Sequence, residues 1–474
     1  MKPMEENSTQ ENNDERITRL FTENILDTEF SDLDPETITN TKQRIFDMIG
    51  CAIGGAGLPD NETVVKALGD GSGGSGATVL GYGTQLSIPD AALANCVLGR
   101  SFDWGPLTLR IDGEVIPSHI TETTVLTALT IGEHLEITGE ELITAIVVGD
   151  DLAGRVWAAV DRGYPGEDPE PSPGFEQWGT VTTFGSMAIA GRLLGLTTDQ
   201  LQSAFGIATT MFSGAGNGLW DGATTFKLSQ GTAARSGILA AQLAKGGWTG
   251  IDEPLFGNHG GYYSVFRDCG QPELLTRNLG ETFHTEGSFK PYPGGGPTDA
   301  PIEAAVTLAT EHDLDPSNIE RVIVRPWFLA AHYSQPFEVG DYPTCDALFS
   351  FKYAAANALV NRQAHNQHYT TDGINNPDVQ ALIERTALEE LDQDSGAEVE
   401  VQLEDGTSLK EYVPVRPGNP SNPLGWDRLR EKFVTQAKFA GSVDEQNVRE
   451  LITDIKSIEE VENVKKIVKL ATKN

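Results

Sequence analysis

The chain has 474 residues, more than one compact core holds, so we expect two or three domains. Its 69 acidic residues against 34 basic ones give a formal net charge of −35 at pH 7. So acidic a surface repels phosphate backbones and anionic lipids, which argues against nucleic-acid and membrane partners. The acid is spread along the whole chain, as in proteins of salt-accumulating halophiles, and an ordinary acidic enzyme is the alternative.

The cysteines and the N-terminus indicate a reduced, cytoplasmic setting. No CxxC pair occurs, so the cysteines predict neither a disulfide framework nor a zinc or iron-sulfur site. Residues 1–14 are polar and acidic, which predicts a disordered tail and no signal peptide. No apolar run approaches the roughly 18 residues of a membrane span. The four cysteines are Cys51, Cys96, Cys269 and Cys345.

From residue 15 to about 280, apolar residues recur at helical spacing. Asp34 followed by Pro35 is a helix N-cap signal, with proline in the first turn. The Pro- and Gly-rich stretch 161–177 predicts a long loop. These segments predict a large all-helical domain over 15–280.

Two segments between Trp178 and Gly250 carry small residues four apart, which lets helix backbones approach closely and predicts buried inner helices. Lys227 stands at the start of the second helix, after a Gly-rich loop, where a cation can face a cavity. The small or apolar residues on these faces are Met187, Ala190, Gly191, Leu194, Ala233, Gly237 and Ala241.

The pattern changes at about residue 281. Residues 319–327 (IERVIVRPW) form a β-branched run that predicts a strand. Residues 397–413 alternate around Asp405-Gly406, a hairpin turn signal. We therefore predict an α+β lid domain over 281–426, after which residues 427–474 return to helix and complete the first domain.

Several motifs, taken in order, resemble the MmgE/PrpD family over residues 35–430. They are LANCVLGRSFDWG, PSHITETTVLTAL, TFGSMAIAGRLLGLTTDQLQSAFGIA, FKLSQGTAARSGILAAQLAKGGWTG, FKPYPGG and FSFKYAAANAL. Together with the acidity, they resemble a variant member from a halophilic archaeon. The family includes 2-methylcitrate dehydratases, cis-aconitate decarboxylases and an iminodisuccinate epimerase.

The resemblance implies a helical domain completed by the C-terminus, an α+β lid, a homodimer, and catalysis without a metal or other cofactor. It also implies a small di- or tricarboxylate substrate whose proton moves at a carbon next to a carboxylate. Such chemistry needs Lys or Arg to stabilise enolate-like charge. It also needs His, Asp, Tyr or a desolvated Lys to move the proton.

Four residues match family positions in the pocket. Lys227 in FKLSQG and Lys290 in FKPYP match active-site lysines, and Asp103 in SFDWG matches the first aspartate of the family motif DFDDT. Tyr333 matches a pocket tyrosine of the decarboxylase branch. Without the resemblance, the lysines would be taken as solvated residues, Asp103 as a turn residue and Tyr333 as structural.

The departures from the family pattern concern the histidines. IPSH replaces the usual HPS, which offers His119 as a general acid or base with a capping role as the alternative. GFEQ replaces GFHP, so Glu176 stands where the family has histidine and becomes a candidate substrate contact. Gly295 replaces the histidine that follows the lid lysine in the decarboxylase branch.

Arg100, Arg110 and Arg155 flank these segments, and each is a candidate carboxylate clamp, with Arg100 selected as substrate-binding. We expect a dehydratase-like lyase first, because the missing histidines fall where the decarboxylase branch uses them. An isomerase or epimerase is the next alternative, followed by a decarboxylase and a noncatalytic polycarboxylate-binding scaffold.

Overall fold

The computed structural model describes residues 5–69, 76–111, 113–160, 178–212, 214–327, 332–393 and 395–473. Helices dominate its first half, and small residues bring the inner ones together. These helices are α1 (Glu5–Asp27), α2 (Pro35–Gly55), α3 (Asn61–Gly69), α4 (Ile88–Arg100), α5 (Thr121–Leu135), α6 (Gly139–Ala158), α7 (Trp178–Leu193), α8 (Thr198–Thr209), α9 (Leu228–Lys245) and α10 (Tyr262–Val265).

The first helix begins inside the stretch that was expected to be a tail. α1 starts at Glu5, and residues 5–14 belong to it. Asp14 is buried there, and its carboxylate accepts hydrogen bonds from the backbone N–H groups of Leu255 and Phe256. This long-range contact ties the helix to the domain, and the local composition gives no sign of it. The Asp34 cap of α2 forms as predicted, accepting from the N–H groups of Glu36 and Thr37.

The two small-residue segments are the buried helices α7 and α9, as predicted, and they pack against each other. Gly237 lies at their closest approach: a Cβ there would stand 2.6 Å from the backbone nitrogen of Met187. Since no larger residue fits at that distance, the small-residue face sets the spacing of the helices. α4 packs on the other side of α9 and carries the first site residues at its C-terminal end.

Two small sheets interrupt the part that was expected to be all-helical. β1 (Ala77–Thr78) pairs with β2 (Gln85–Leu86). The second sheet has the order β4-β3-β5, with β3 at Thr108–Ile111, β4 at Glu114–Pro117 and β5 at Gly287–Ser288. β5 lies beyond the boundary predicted at residue 281, yet it pairs with β3. This pairing brings the start of the predicted lid against the loop that follows α4.

The α+β part contains a four-stranded sheet of order β7-β6-β8-β9. The predicted strand is β6 (Ile319–Pro326), and the predicted hairpin is β8 (Ala397–Leu403) with β9 (Ser408–Val413). Gly406 of its turn has φ +84°, a conformation that glycine adopts readily. β7 (Thr386–Leu388) runs parallel to β6. The helices of this part are α11 (Asp299–Glu311), α12 (Pro343–Leu348), α13 (Phe351–Asn361), α14 (Thr371–Ile374) and α15 (Pro377–Glu384).

The last helices return to the first half of the chain. They are α16 (Trp426–Ala440), α17 (Glu445–Lys456) and α18 (Lys465–Leu470). α16 and α17 pack on α2, and α18 packs on α5. The predicted fold class, mainly α with a smaller α+β part, is confirmed. Among the described residues, no helix has both the length and the apolar character needed to cross a membrane.

Candidate active site

The C-terminal end of α4 and the turn that follows it carry the first two site residues. Arg100 is the last residue of α4, and its Nη1 pairs with Oδ1 of Asp103. Asp103 has φ +44°, a left-handed conformation that costs free energy in any residue other than glycine. Both side chains are buried. The strained turn therefore holds an aspartate beneath the surface, facing a guanidinium.

Lys290 reaches the same aspartate from the other half of the chain. Its Nζ lies 2.7 Å from Oδ1 of Asp103 and also donates to the Asp103 carbonyl. The β3–β5 pairing places it there, since Lys290 follows β5 by two residues and Leu107 donates to the carbonyl of Ser288 at 3.0 Å. Asp103 thus contacts two cations, Arg100 and Lys290, that are 190 residues apart in the sequence. The three side chains form one buried cluster.

His119 and Glu122 complete this cluster at the start of α5. Nδ1 of His119 lies 2.9 Å from Oε1 of Glu122 and 2.9 Å from Nη1 of Arg100. Glu122 is fully buried, and its second oxygen, Oε2, has no hydrogen-bond partner in the described part of the chain. An imidazole and a carboxyl group therefore share one contact beside a fixed cation.

Burial sets the protonation of this pair. It lowers the pKa of His119 well below 6.5, and the nearby Arg100 cation lowers it further. It raises the pKa of Glu122, although Arg100 and Lys290 oppose that shift. The pKa of Lys290 is lowered by the same loss of solvent, against the attraction of Asp103. Burial therefore shifts both His119 and Glu122 towards their neutral forms.

Asp103, His119 and Glu122 place three potential metal-ligand atoms within 4.8 Å of one another. The Asp103 oxygen Oδ1 already contacts both Arg100 and Lys290. A divalent cation at this oxygen would have to displace two positive side chains or bind beside them, which Coulomb repulsion disfavours. The set suits an anionic substrate better than a metal ion.

Lys227 lies at a second, neighbouring cluster. Its Nζ donates to Asp60 Oδ2 at 2.5 Å, Asn61 Oδ1 at 2.9 Å and Tyr342 Oη at 3.0 Å. Burial lowers its pKa, and Asp60 opposes that effect. Asn61 also donates to Ser101 Oγ at 2.7 Å, next to Arg100 in the chain, so one amide connects the two clusters.

Aromatic rings separate the clusters from a cavity of about 300 Å³. Phe349 and Cys345 line this cavity. Phe349 contacts Phe226, whose ring centre is 6.0 Å from the Arg100 guanidinium carbon, and it also contacts Tyr333. The Cys345 thiol is close enough for Asp103, Arg100 and Lys227 all to affect its pKa, which burial raises to about 12. The cavity thus lies next to the clusters, although none of their charged side chains lines it.

Tyr333 explains one departure from the family pattern. A Cβ at Gly295 would stand 2.0 Å from Tyr333 Oη, so the tyrosine occupies the space that any side chain at position 295 would need. The pKa of Tyr333 is raised by burial, and Asp103 contributes to the rise, which places the ring beside the first cluster. A histidine at position 295 and this tyrosine conformation exclude each other.

The remaining candidates have separate outcomes. Glu176 lies outside the described residues. Arg155 pairs with Asp151 and donates to three backbone carbonyls, so its guanidinium is committed to structure. Arg110 pairs with Glu286 alongside the small sheet. Of the three arginines proposed as clamps, Arg100 is the one in the cluster.

Sequence reasoning missed Glu122, Asn61 and Tyr342. Glu122 carried a usable signal, because His119 and Glu122 are three residues apart at a helix start and therefore share a face. Asn61 and Tyr342 carried none, since their roles arise from contacts with Lys227 across more than a hundred residues.

Comparison with known protein families gives two matches. A model of the MmgE/PrpD N-terminal domain matches residues 19–274, and a model of the MmgE/PrpD C-terminal domain matches residues 292–457. The second match continues through α16 and all of α17, which pack on the first half of the chain. The two matches together cover most of the sequence.

The curated relatives are similar over nearly their whole lengths. A cis-aconitate decarboxylase of Aspergillus terreus is 27% identical, covering 93% of this chain and 92% of its own. The cis-aconitate decarboxylase of Mus musculus is 26% identical, covering 96% and 93%. That of Homo sapiens is 27% identical, covering 94% and 92%.

Proposed function

Since this chain belongs to the MmgE/PrpD family, we propose that it is a lyase that eliminates water from a small di- or tricarboxylate by moving a proton next to a carboxylate. The lyase class agrees with the relatives, because the decarboxylation in their names is a lyase reaction. The observation that carries the proposal is the buried His119–Glu122 pair beside Arg100 and Lys290.

Arg100 and Lys290 are the groups we assign to the substrate carboxylate. Each is buried, and they share one aspartate, so the three side chains carry a net positive charge. A positive, water-poor site attracts a carboxylate and stabilises the enolate-like charge that develops when the neighbouring carbon loses its proton. Asp103 holds both cations in position, and we assign it an orienting role.

Lys227 is the cation we assign to a second carboxylate of the substrate. It is connected to the first cluster through Asn61 and Ser101. Two separated cations suit a molecule with at least two acid groups.

His119 and Glu122 are the groups we assign to proton transfer. Glu122 engages Nδ1, so Nε2 is the ring nitrogen that we assign to the substrate. When the pair holds one proton, on Nδ1, Nε2 is a base that accepts the substrate proton. With two protons, Nε2–H is an acid that protonates the departing hydroxyl. Elimination of water needs both functions, and one pair provides them in turn.

Decarboxylation is the second candidate, and the names of the relatives favour it. Loss of carbon dioxide needs an acid that protonates the carbanion-like carbon but no base. The position that is histidine in the decarboxylase branch is Gly295, with Tyr333 in its place. The base and acid functions of the His119–Glu122 pair favour elimination, while identity of 26–27% leaves room for either reaction.

One experiment distinguishes the candidates. The protein is incubated in heavy water with 2-methylcitrate, citrate and cis-aconitate in turn, and the products are followed by NMR. A new alkene from a hydroxy acid supports elimination. Release of carbon dioxide from cis-aconitate assigns decarboxylation, and deuterium on an unchanged skeleton assigns epimerisation. An unchanged spectrum with all three acids, from folded protein, contradicts the proposed elimination.

A further inference from the structure

A second cavity, of about 170 Å³, lies behind the candidate active site. One wall is α16, which provides Arg428 and Lys432. The opposite wall comes from the α+β part, with Arg362 at the end of α13 and Tyr292 in the loop before α11. Trp104 closes the cavity on the side of the active site. Nothing in the proposed reaction uses this space.

The cavity is rich in cations in a chain that has few. Arg362, Arg428 and Lys432 line it, although basic residues number 34 against 69 acidic ones in the whole chain. One acid, Glu431, also lines it. A random piece of this surface would be acidic, so a gathering of three cations around one small space is unexpected.

Two of these cations are only loosely neutralised. Arg428 lies 3.9 Å from Glu303, whose same oxygen accepts a hydrogen bond from Tyr292 Oη at 2.6 Å. Arg362 pairs at 2.6 Å with Asp313, but that carboxylate is 88% exposed and therefore well solvated. Water screens these partners, so the guanidinium groups can take a further anion.

Trp104 is a buried aromatic residue in the lining of this cavity. Trp104 is 1% exposed, and its Nε1–H has no hydrogen-bond partner in the described ranges. Lys432 lies 5.3 Å from the centre of this ring and is fixed by Asp47 and by the Trp104 carbonyl. Lys432 is therefore already neutralised, which leaves Arg362 and Arg428 as the cations of the lining that can bind an anion.

We propose that this cavity binds a small oxyanion, held by Arg362 and Arg428. Guanidinium groups bind carboxylate and phosphate oxygens through paired hydrogen bonds, which favours an oxyanion over chloride. The volume, below the roughly 300 Å³ of ordinary ligand pockets, limits the occupant to a few heavy atoms.

The site connects to both loops of the active site. Trp104 directly follows Asp103, and Tyr292 is two residues beyond Lys290. An anion in the cavity contacts both loops from behind and therefore stabilises the arrangement in which Lys290 meets Asp103. The proposal concerns binding and stability, and it stands whether the chemistry is elimination or decarboxylation.

Isothermal titration calorimetry with inorganic phosphate and with acetate, at one fixed KCl concentration, tests the site. We expect the double variant Arg362→Gln/Arg428→Gln to bind the preferred anion about tenfold more weakly or worse than wild type. The exposed pair Arg321→Gln/Arg449→Gln removes the same charge elsewhere and should bind as wild type does.

Lys227→Gln distinguishes this cavity from the active site, because an anion held behind Trp104 is indifferent to Lys227. Phosphate heat that disappears in the double variant assigns phosphate chemistry, and acetate heat with the same behaviour assigns a carboxylate. Equal affinity in wild type and the double variant overturns the proposal. So does the lack of binding by either anion at millimolar concentration, or loss of binding in Lys227→Gln with the double variant unaffected.

Discussion

Replacement of Gly295 by alanine tests the contact that separates this chain from the histidine-bearing pattern. The added Cβ would stand 2.0 Å from Tyr333 Oη, 2.6 Å from Cε1 and 2.7 Å from Cζ, all closer than real contacts allow. Gly295 has φ −67° and ψ 143°, which alanine adopts without strain. The cost is therefore overpacking alone, about 1–3 kcal/mol of unfolding free energy.

A double-mutant cycle isolates this cost. With Tyr333→Ala the space is open, and Gly295→Ala should then stabilise the fold by about 0.4–1 kcal/mol, because alanine restricts the unfolded chain. The two effects of Gly295→Ala differ in sign, which predicts a coupling of about 1.5–4 kcal/mol.

Urea unfolding, followed by circular dichroism, measures the four proteins of the cycle. Gly425→Ala, whose added methyl would meet nothing within 4 Å, controls for the substitution itself. Equal cost of Gly295→Ala with and without the Tyr333 ring would refute the steric argument, since the structure gives no other reason for a penalty at this position.

Three further predictions concern a lysine, a histidine and salt. Lys227→Met should lower turnover at least about 100-fold. The loss of its hydrogen bonds should lower the free energy of unfolding by about 1–3 kcal/mol and leave the fold intact by circular dichroism. Full activity would refute its role. Burial and the neighbouring His365 lower the pKa of His368 from 6.5 to about 4. The unfolded chain therefore takes up this proton first, and stability falls as pH drops from about 6.5 to about 4. His368→Asn should remove up to about 3 kcal/mol of that loss in urea titrations, and an unchanged pH profile would contradict it. Dialysis out of molar KCl should unfold or aggregate the protein, because its charge of −35 loses screening; unchanged light scattering and ellipticity in dilute buffer would contradict a halophilic origin.

Much of the fold follows from local patterns. The Asp34-Pro35 cap, the small-residue helices α7 and α9 and the hairpin at Asp405-Gly406 all form as predicted, because each depends on neighbours in sequence. The hydrogen bond from the backbone N–H of Leu255 to Asp14 was not predicted, because it joins residues far apart in the sequence. Local composition does not contain that information.

The candidate site was also predicted in part from the sequence. Asp103, His119 and Lys290 were selected through motif matches, and the structure brings them together with Arg100. Their mutual distances depend on the β3–β5 pairing, which no sequence pattern indicated. The contact of Tyr333 with Gly295 could likewise not be predicted from the sequence. It depends on two loops about forty residues apart that meet in the folded protein.

The central claim, that the His119–Glu122 pair moves the substrate proton, is tested most directly by Glu122→Gln. Glutamine keeps the shape of the side chain but holds no transferable proton. The matched control is Glu133→Gln, a buried acid on the same helix that accepts from Thr78 instead. With the substrate identified by NMR, we predict that kcat falls about 10²–10⁴-fold in Glu122→Gln while Glu133→Gln stays near wild type. A folded Glu122→Gln protein with wild-type kcat and an unchanged pH profile would contradict the account.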